Sequence, residues 1–153
     1  MQIVGGIFGV GVVSYILVRL QELSGTLLFI ILTGYALFAF TITAGTKLLS
    51  RETLKLGMIL SFISYSLQIF QLKMFGYGLT FTAGTAFSIG YENSFKVNLE
   101  VISSQFSMAM NSDPDEFIFM INLVSIVVIY VLIDIWNEIY VLNEPELNKE
   151  SIN

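Results

Sequence analysis

The chain has 153 residues, 55% of them hydrophobic and 12% charged, where an ordinary soluble domain carries about 25% charged residues. It contains no Cys and no His, which excludes thiol chemistry, disulfides, haem attachment, Cys/His zinc sites and His-based acid–base catalysis within it. The net charge of −5 comes largely from the segment after Asp134 and argues against nucleic acid as a partner and against a polybasic lipid-binding patch.

Four apolar stretches are long enough to cross a bilayer, which takes about 20 residues. The first runs from Ile3 to about Leu20 (helix 3–21). It has no basic region before it and no small-x-small cleavage signal, so it reads as a retained helix. The second covers 25–49, with Ser24 placed to accept from the free amides at its start. The third covers 51–75, with Ser50 as N-cap and Glu52 in the first turn. The fourth covers 114–142. Its start, Asp113-Pro114-Asp115-Glu116, has the spacing of a capping box with Pro at the first helical position. The competing reading, an acidic cation site, lacks the ligand number and the Gly turn of a calcium loop. An acidic tail, 143–153, closes the chain. The fold class expected is a membrane all-α bundle of four transmembrane helices with one inserted extracytoplasmic β-hairpin, forming a single integral unit over 1–153.

That hairpin occupies 76–111. Odd positions from Tyr77 to Val101 are nearly all apolar, and even positions are mostly Gly, Thr, Ser, Lys, Asn and Glu, a period of two. A three-residue loop at Glu92-Asn93-Ser94 pairs Tyr91 with Phe95, Ile89 with Val97 and Phe87 with Leu99. After Val101 the apolar positions become even-numbered. One extra residue within 102–105, a β-bulge opposite Gly84, restores the phase and sets Phe106 against Phe81 and Met108 against Leu79. The ribbon then carries one apolar face, including Leu79, Phe81, Phe87, Ile89, Phe95, Val97 and Leu99. A two-stranded ribbon is marginal alone, and its free edges invite pairing. This face is therefore read as an assembly surface; the plainer reading is a lid on the chain's own helices.

Along the third segment, Gly57, Ser61, Ser64, Gln68 and Gln71 recur at spacings of four and three. Such a stripe is a tight helix–helix seam, where small residues admit contact and amides bind across it; alternatively it lines a narrow aqueous path through an oligomer. Gly5 and Gly9 form a weak GxxxG. Asp134 sits beside Trp136 and Tyr140, as an interfacial residue would. Gly76-Tyr77-Gly78 opens a strand and is no ion filter.

The turn carrying Lys47, Arg51 and Lys55 is the most basic, which places it and both termini in the cytoplasm of a bacterial cell and makes it the docking loop for a cytoplasmic protein partner. No catalytic, metal or cofactor motif is present, and no internal repeat supports an inverted-repeat transporter. The expected function is a non-enzymatic, self-assembling protein of the cytoplasmic membrane, in contact with lipid and forming homo-oligomers. It would act as sensor, scaffold or membrane-perturbing effector, with a bacterial defence or stress system as an analogy for its setting. The alternative is a small channel or transporter subunit whose pore is lined by the polar stripe.

Overall fold

The computed structural model describes residues 1–20, 22, 24–92, 94–110 and 115–141. In chain order it comprises α1 (Gln2–Arg19), α2 (Gly25–Leu49), a 3₁₀ turn (Arg51–Thr53), α3 (Leu54–Leu67), β1 (Phe70–Met74), β2 (Tyr77–Glu92), β3 (Ser94–Ala109), β4 (Ile118–Asn122) and α4 (Leu123–Trp136), which continues into a π-helical turn (Asn137–Val141). The helices pack in sequence, α1 on α2, α2 on α3 and α3 on α4, and α1 also lies against the β2–β3 ribbon.

A bundle of four membrane-crossing helices does not form. Among the described residues only α1 and α2 are long and apolar enough to cross a bilayer. The α-helical parts of α3 and α4 have 14 residues each, about 21 Å at ~1.5 Å per residue, short of the ~30 Å hydrocarbon core. The expected third helix is divided into a 3₁₀ turn, α3 and strand β1. The expected fourth is strand β4 followed by α4, so the helix begins at Leu123 rather than at Pro114. Asp113 and Pro114, like the acidic tail, lie outside the described residues. Glu116 is ion-paired with Lys73 across the sheet and does not complete a capping box.

The breaks have local causes. Ser24 caps α2 by accepting the Leu27 N–H at 3.2 Å, as its sequence position implies, whereas Ser50 makes no side-chain cap. The chain leaves α3 through tightened i→i−3 bonds, Gln68 N–H to the Tyr65 carbonyl (3.0 Å) and Ile69 N–H to the Ser66 carbonyl (3.3 Å). Ile69 then offers its carbonyl to the Asn122 N–H (2.8 Å), which joins β1 to β4. A two-residue turn links β1 to β2, with Met74 opposite Tyr77 and positive φ at both Phe75 (54°) and Gly76 (79°), the backbone that a tight hairpin requires.

The hairpin register matches the sequence pattern. Tyr91 faces Phe95, Ile89 faces Val97, Phe87 faces Leu99, Phe81 faces Phe106 and Leu79 faces Met108, with a register shift between Gly84 and Ala86. The ribbon is not isolated, however. It belongs to a four-stranded antiparallel sheet in the order β1-β4-β2-β3, with β1 also paired to β2. β1 is antiparallel to the start of β2 (Leu72 opposite Leu79) and to β4 (Gln71 opposite Met120), while β4 is antiparallel to the end of β2 (Ser88 opposite Asn122). Straight strands cannot satisfy all three relations at once, so β2 reverses direction between its two ends. Between those ends lies the register shift, where Gly84 has φ 116°, a conformation open to glycine and costly for other residues, which lets the strand turn there. The hairpin is thus folded double around β1 and β4.

The buried core joins α1, α2 and the first half of β2: Val13, Ile31, Phe38, Phe81 and Ala83, with Phe106 packed against it. The Phe38 and Phe81 rings meet at 5.4 Å between centroids. Contact between helix and ribbon is close enough that a Cβ on Gly5 would lie 2.3 Å from the Gly84 nitrogen.

Candidate functional site

Folding the hairpin double sorts its two faces. The small face turns inward. Ser88, Thr82 and Asn122 are buried, Gln71 lies opposite Met120, and a Cβ on Gly90 would sit 2.0 Å from the Phe119 carbonyl oxygen. Small side chains are what allow β4 to lie this close. The apolar face turns outward. Helices α1 and α2 cover only its base, where Phe81 is 1% exposed; elsewhere it stands uncovered, with Phe95 74%, Val97 57%, Leu99 65% and Val101 70% exposed. Leu79 is exposed, and Phe87 and Ile89 are half-buried. The seven residues read as one assembly face therefore divide: Phe81 belongs to the core and Phe95, Val97 and Leu99 remain available. The ribbon is a lid at its base and a free surface at its end.

β3 is the terminal strand of the sheet, and among the described residues nothing pairs with its outer edge. From Ser94 to Val101 it alternates polar and apolar side chains, and every residue except half-buried Glu100 is exposed. Lys96 is paired with Glu92 at 3.0 Å, and Asn98 Nδ2 donates to Glu100 Oε1 at 2.7 Å. A single lysine and a bulge are slight protection for a strand edge of this length.

The polar stripe lies at the centre of the molecule. Gly57 packs on α2, where a Cβ would meet the Leu48 nitrogen at 2.5 Å. The Ser61 hydroxyl donates to Gln2 Oε1 (3.0 Å) and the Ser64 and Thr41 hydroxyls share a bond of 3.2 Å. Gln68 is 1% exposed. Its Nε2 donates to the Ser64 carbonyl (3.2 Å) and Oγ (3.3 Å), and its Oε1 accepts the Ala83 N–H at 2.9 Å. The stripe leaves the helix after Gln68; Gln71 is on β1, where it donates to Ser88 Oγ at 3.4 Å. Gln68 thus serves a function that helical spacing does not disclose: it satisfies a main-chain amide of β2 just before the reversal.

Asn122 makes the matching connection after the reversal, and sequence reasoning missed it. Fully buried, it accepts the Phe87 N–H (3.2 Å) and the Val124 N–H (3.1 Å) through Oδ1 and donates to Ser125 Oγ (2.9 Å). It is at once the N-cap of α4 and a support for β2. The signal was an Asn directly before the apolar run Leu123–Trp136.

At the other end of the helices, Lys47 is half-buried, and Arg51 and Lys55 are exposed. Lys55 Nζ stands 5.7 Å from the centroid of the Trp136 ring, so the end of α4 reaches the basic turn. Comparison with protein-family models, curated proteins and solved structures gives no match.

Proposed function

We propose that this chain is a non-enzymatic, self-assembling membrane protein, acting as scaffold, sensor or membrane-perturbing effector. In this reading α1 and α2 hold it in the bilayer and the free end of the β2–β3 hairpin joins further copies. The observation that carries the reading is the distribution of polarity. Among the described residues, exposed large apolar side chains far outnumber buried apolar ones, while Gln2, Thr41, Ser61, Ser64, Gln68, Thr82, Ser88 and Asn122 are buried. α1 turns Ile7, Phe8, Val12 and Tyr15 outward and α2 turns Leu28, Phe29 and Leu32 outward. Monomeric soluble proteins rarely expose contiguous apolar surface of this extent. An apolar outer face over a polar inner face is the arrangement that β structure takes in lipid.

The same geometry supports assembly. The ribbon lies along α1 from Gly5, which faces Gly84, to Val13, which shares a core with Phe81. Its base therefore lies at the depth of the spanning helices, where an open sheet edge leaves amides without water to bond. Pairing with another chain removes that cost. The basic residues Lys47, Arg51 and Lys55 support a cytoplasmic side for that turn and, with it, for the start of α1. Ser61, Ser64 and Gln68 are occupied by bonds within the chain, which supports a packing seam over a pore lining.

Carbonate extraction and native mass measurement in detergent test the proposal, with two lysine substitutions. Wild type should resist extraction and form an oligomer. Leu99→Lys should stay folded and membrane-bound and lose the oligomer. Phe81→Lys, placing a charge in the core, should abolish folding. A wild-type chain released by carbonate as a monomer would overturn the reading.

A further inference from the structure

We infer that two copies of this chain pair edge to edge through β3, antiparallel, with Asn98 on the two-fold axis. This rests on the assembly reading above and specifies its partner and register. The occupant is a second copy because the free stretch is complementary to itself. The regular pairing of β3 with the end of β2 runs from Ser94 to Glu100, before the register shift, and Asn98 lies within it. An antiparallel pairing centred on Asn98 sets each Lys96 opposite the other copy's Glu100. On the opposite face it sets Phe95 opposite Val101 and Val97 opposite Leu99. Charges fall together on the polar face and apolar side chains on the outer one, which are the pairs that stabilise antiparallel strands.

Neighbouring registers do worse. Centring on Val97 opposes Lys96 to Asn98 and Glu100 to Ser94. Centring on Lys96 opposes two lysines. Centring between residues sets apolar against polar side chains throughout. The pairing is isologous, so it closes as a dimer, and it continues the outward apolar face of one sheet into the other. The exposure of Phe95, Val97, Leu99 and Val101 and the outer edge of β3, unpaired among the described residues, are then both accounted for.

The absence of cysteine makes a clean test possible with the full chain in detergent or liposomes. In this register the two Asn98 positions are directly opposed, within the ~7 Å Cα separation that a disulfide needs, while the two Lys96 positions are four residues out of step, about 13 Å apart. Asn98→Cys should cross-link readily under mild oxidation. Lys96→Cys alone and Glu100→Cys alone should not, whereas a mixture of those two variants should. Lys96→Glu should weaken the dimer about ten-fold, and Lys96→Glu with Glu100→Lys should restore it. If wild type assembles but Lys96→Cys cross-links as well as Asn98→Cys, the register is wrong and the assembly reading stands. If wild type is a monomer by native mass, both fall.

Discussion

Replacing Gln68 with Leu distinguishes an ordinary seam residue from one that supports a strand. The side chain is 1% exposed and makes three bonds, of which one crosses to the sheet: its Oε1 accepts the Ala83 N–H at 2.9 Å. The bonds from Nε2 end on Ser64, whose hydroxyl retains Thr41 at 3.2 Å. Were Gln68 only helix-to-helix glue, its loss would cost about 0.6 kcal/mol, the average for such bonds in membranes. Orphaning a buried backbone amide costs roughly 1–3 kcal/mol. We therefore expect Gln68→Leu to destabilise by about 2 kcal/mol. That corresponds to a fall in melting temperature of roughly 4–8 °C for a chain of this size, read by thermal unfolding in detergent. Ser64→Ala removes a hydroxyl but leaves Gln68 its bond to the Ser64 carbonyl, and should cost less, about 0.5–1.5 kcal/mol. A Gln68→Leu protein melting within about 1 °C of wild type, or a reversed order of the two variants, would refute the claim that this amide depends on Gln68.

Three further substitutions test the backbone. Gly5→Ala should destabilise despite the better helix propensity of alanine, because its Cβ would fall 2.3 Å from the Gly84 nitrogen and 2.5 Å from the Ala83 carbonyl carbon. Gly11→Ala, with nothing within 4 Å, should stabilise by up to ~1 kcal/mol, and equal melting temperatures for the two would contradict the contact. Phe75→Asn should raise the melting temperature by a few degrees, since Phe75 adopts φ 54°, which costs about 1–2 kcal/mol for a residue of this kind. A lowered melting temperature would instead reveal a contact made by its ring.

The hairpin was legible because alternation over more than twenty residues has only one structural solution, and the change of phase after Val101 could be repaired only by a bulge. β1 and β4 were not legible. Phe70-Gln71-Leu72-Lys73-Met74 alternates, but it directly follows α3, and the i, i+3 spacing of Gln68 and Gln71 fits a helix equally well. Phe117-Ile118-Phe119-Met120-Ile121 is apolar at every position and has no period to read. The turn between β1 and β2 is Phe-Gly, which lacks the Asn-Gly or Asp-Gly signature of its geometry. In each case the deciding influence was a strand edge supplied by β2, which no local window contains. The small face of the ribbon was visible in the sequence; its purpose was not, because nothing local shows that the ribbon folds back around β4.

The two halves of the hairpin carry different burdens, and the difference follows from what each half touches. The half before the reversal is fixed by contacts that tolerate no displacement: Gly5 against Gly84, Phe81 against Phe38, Gln68 on the Ala83 amide. The half after it is held along one edge by β4 and by the Asn122 bond to Phe87, while its partner stretch of β3 has, among the described residues, one edge and nearly all its side chains free. A strand so placed is ordered enough to present a fixed register and uncommitted enough to be completed by another chain, which lowers the ordering cost of association. A fully covered ribbon would have nothing to offer a partner. A ribbon without the seam at its base would lack a defined edge. The reversal at Gly84 keeps the two burdens on separate residues, so that stability and assembly respond to different substitutions along one pair of strands.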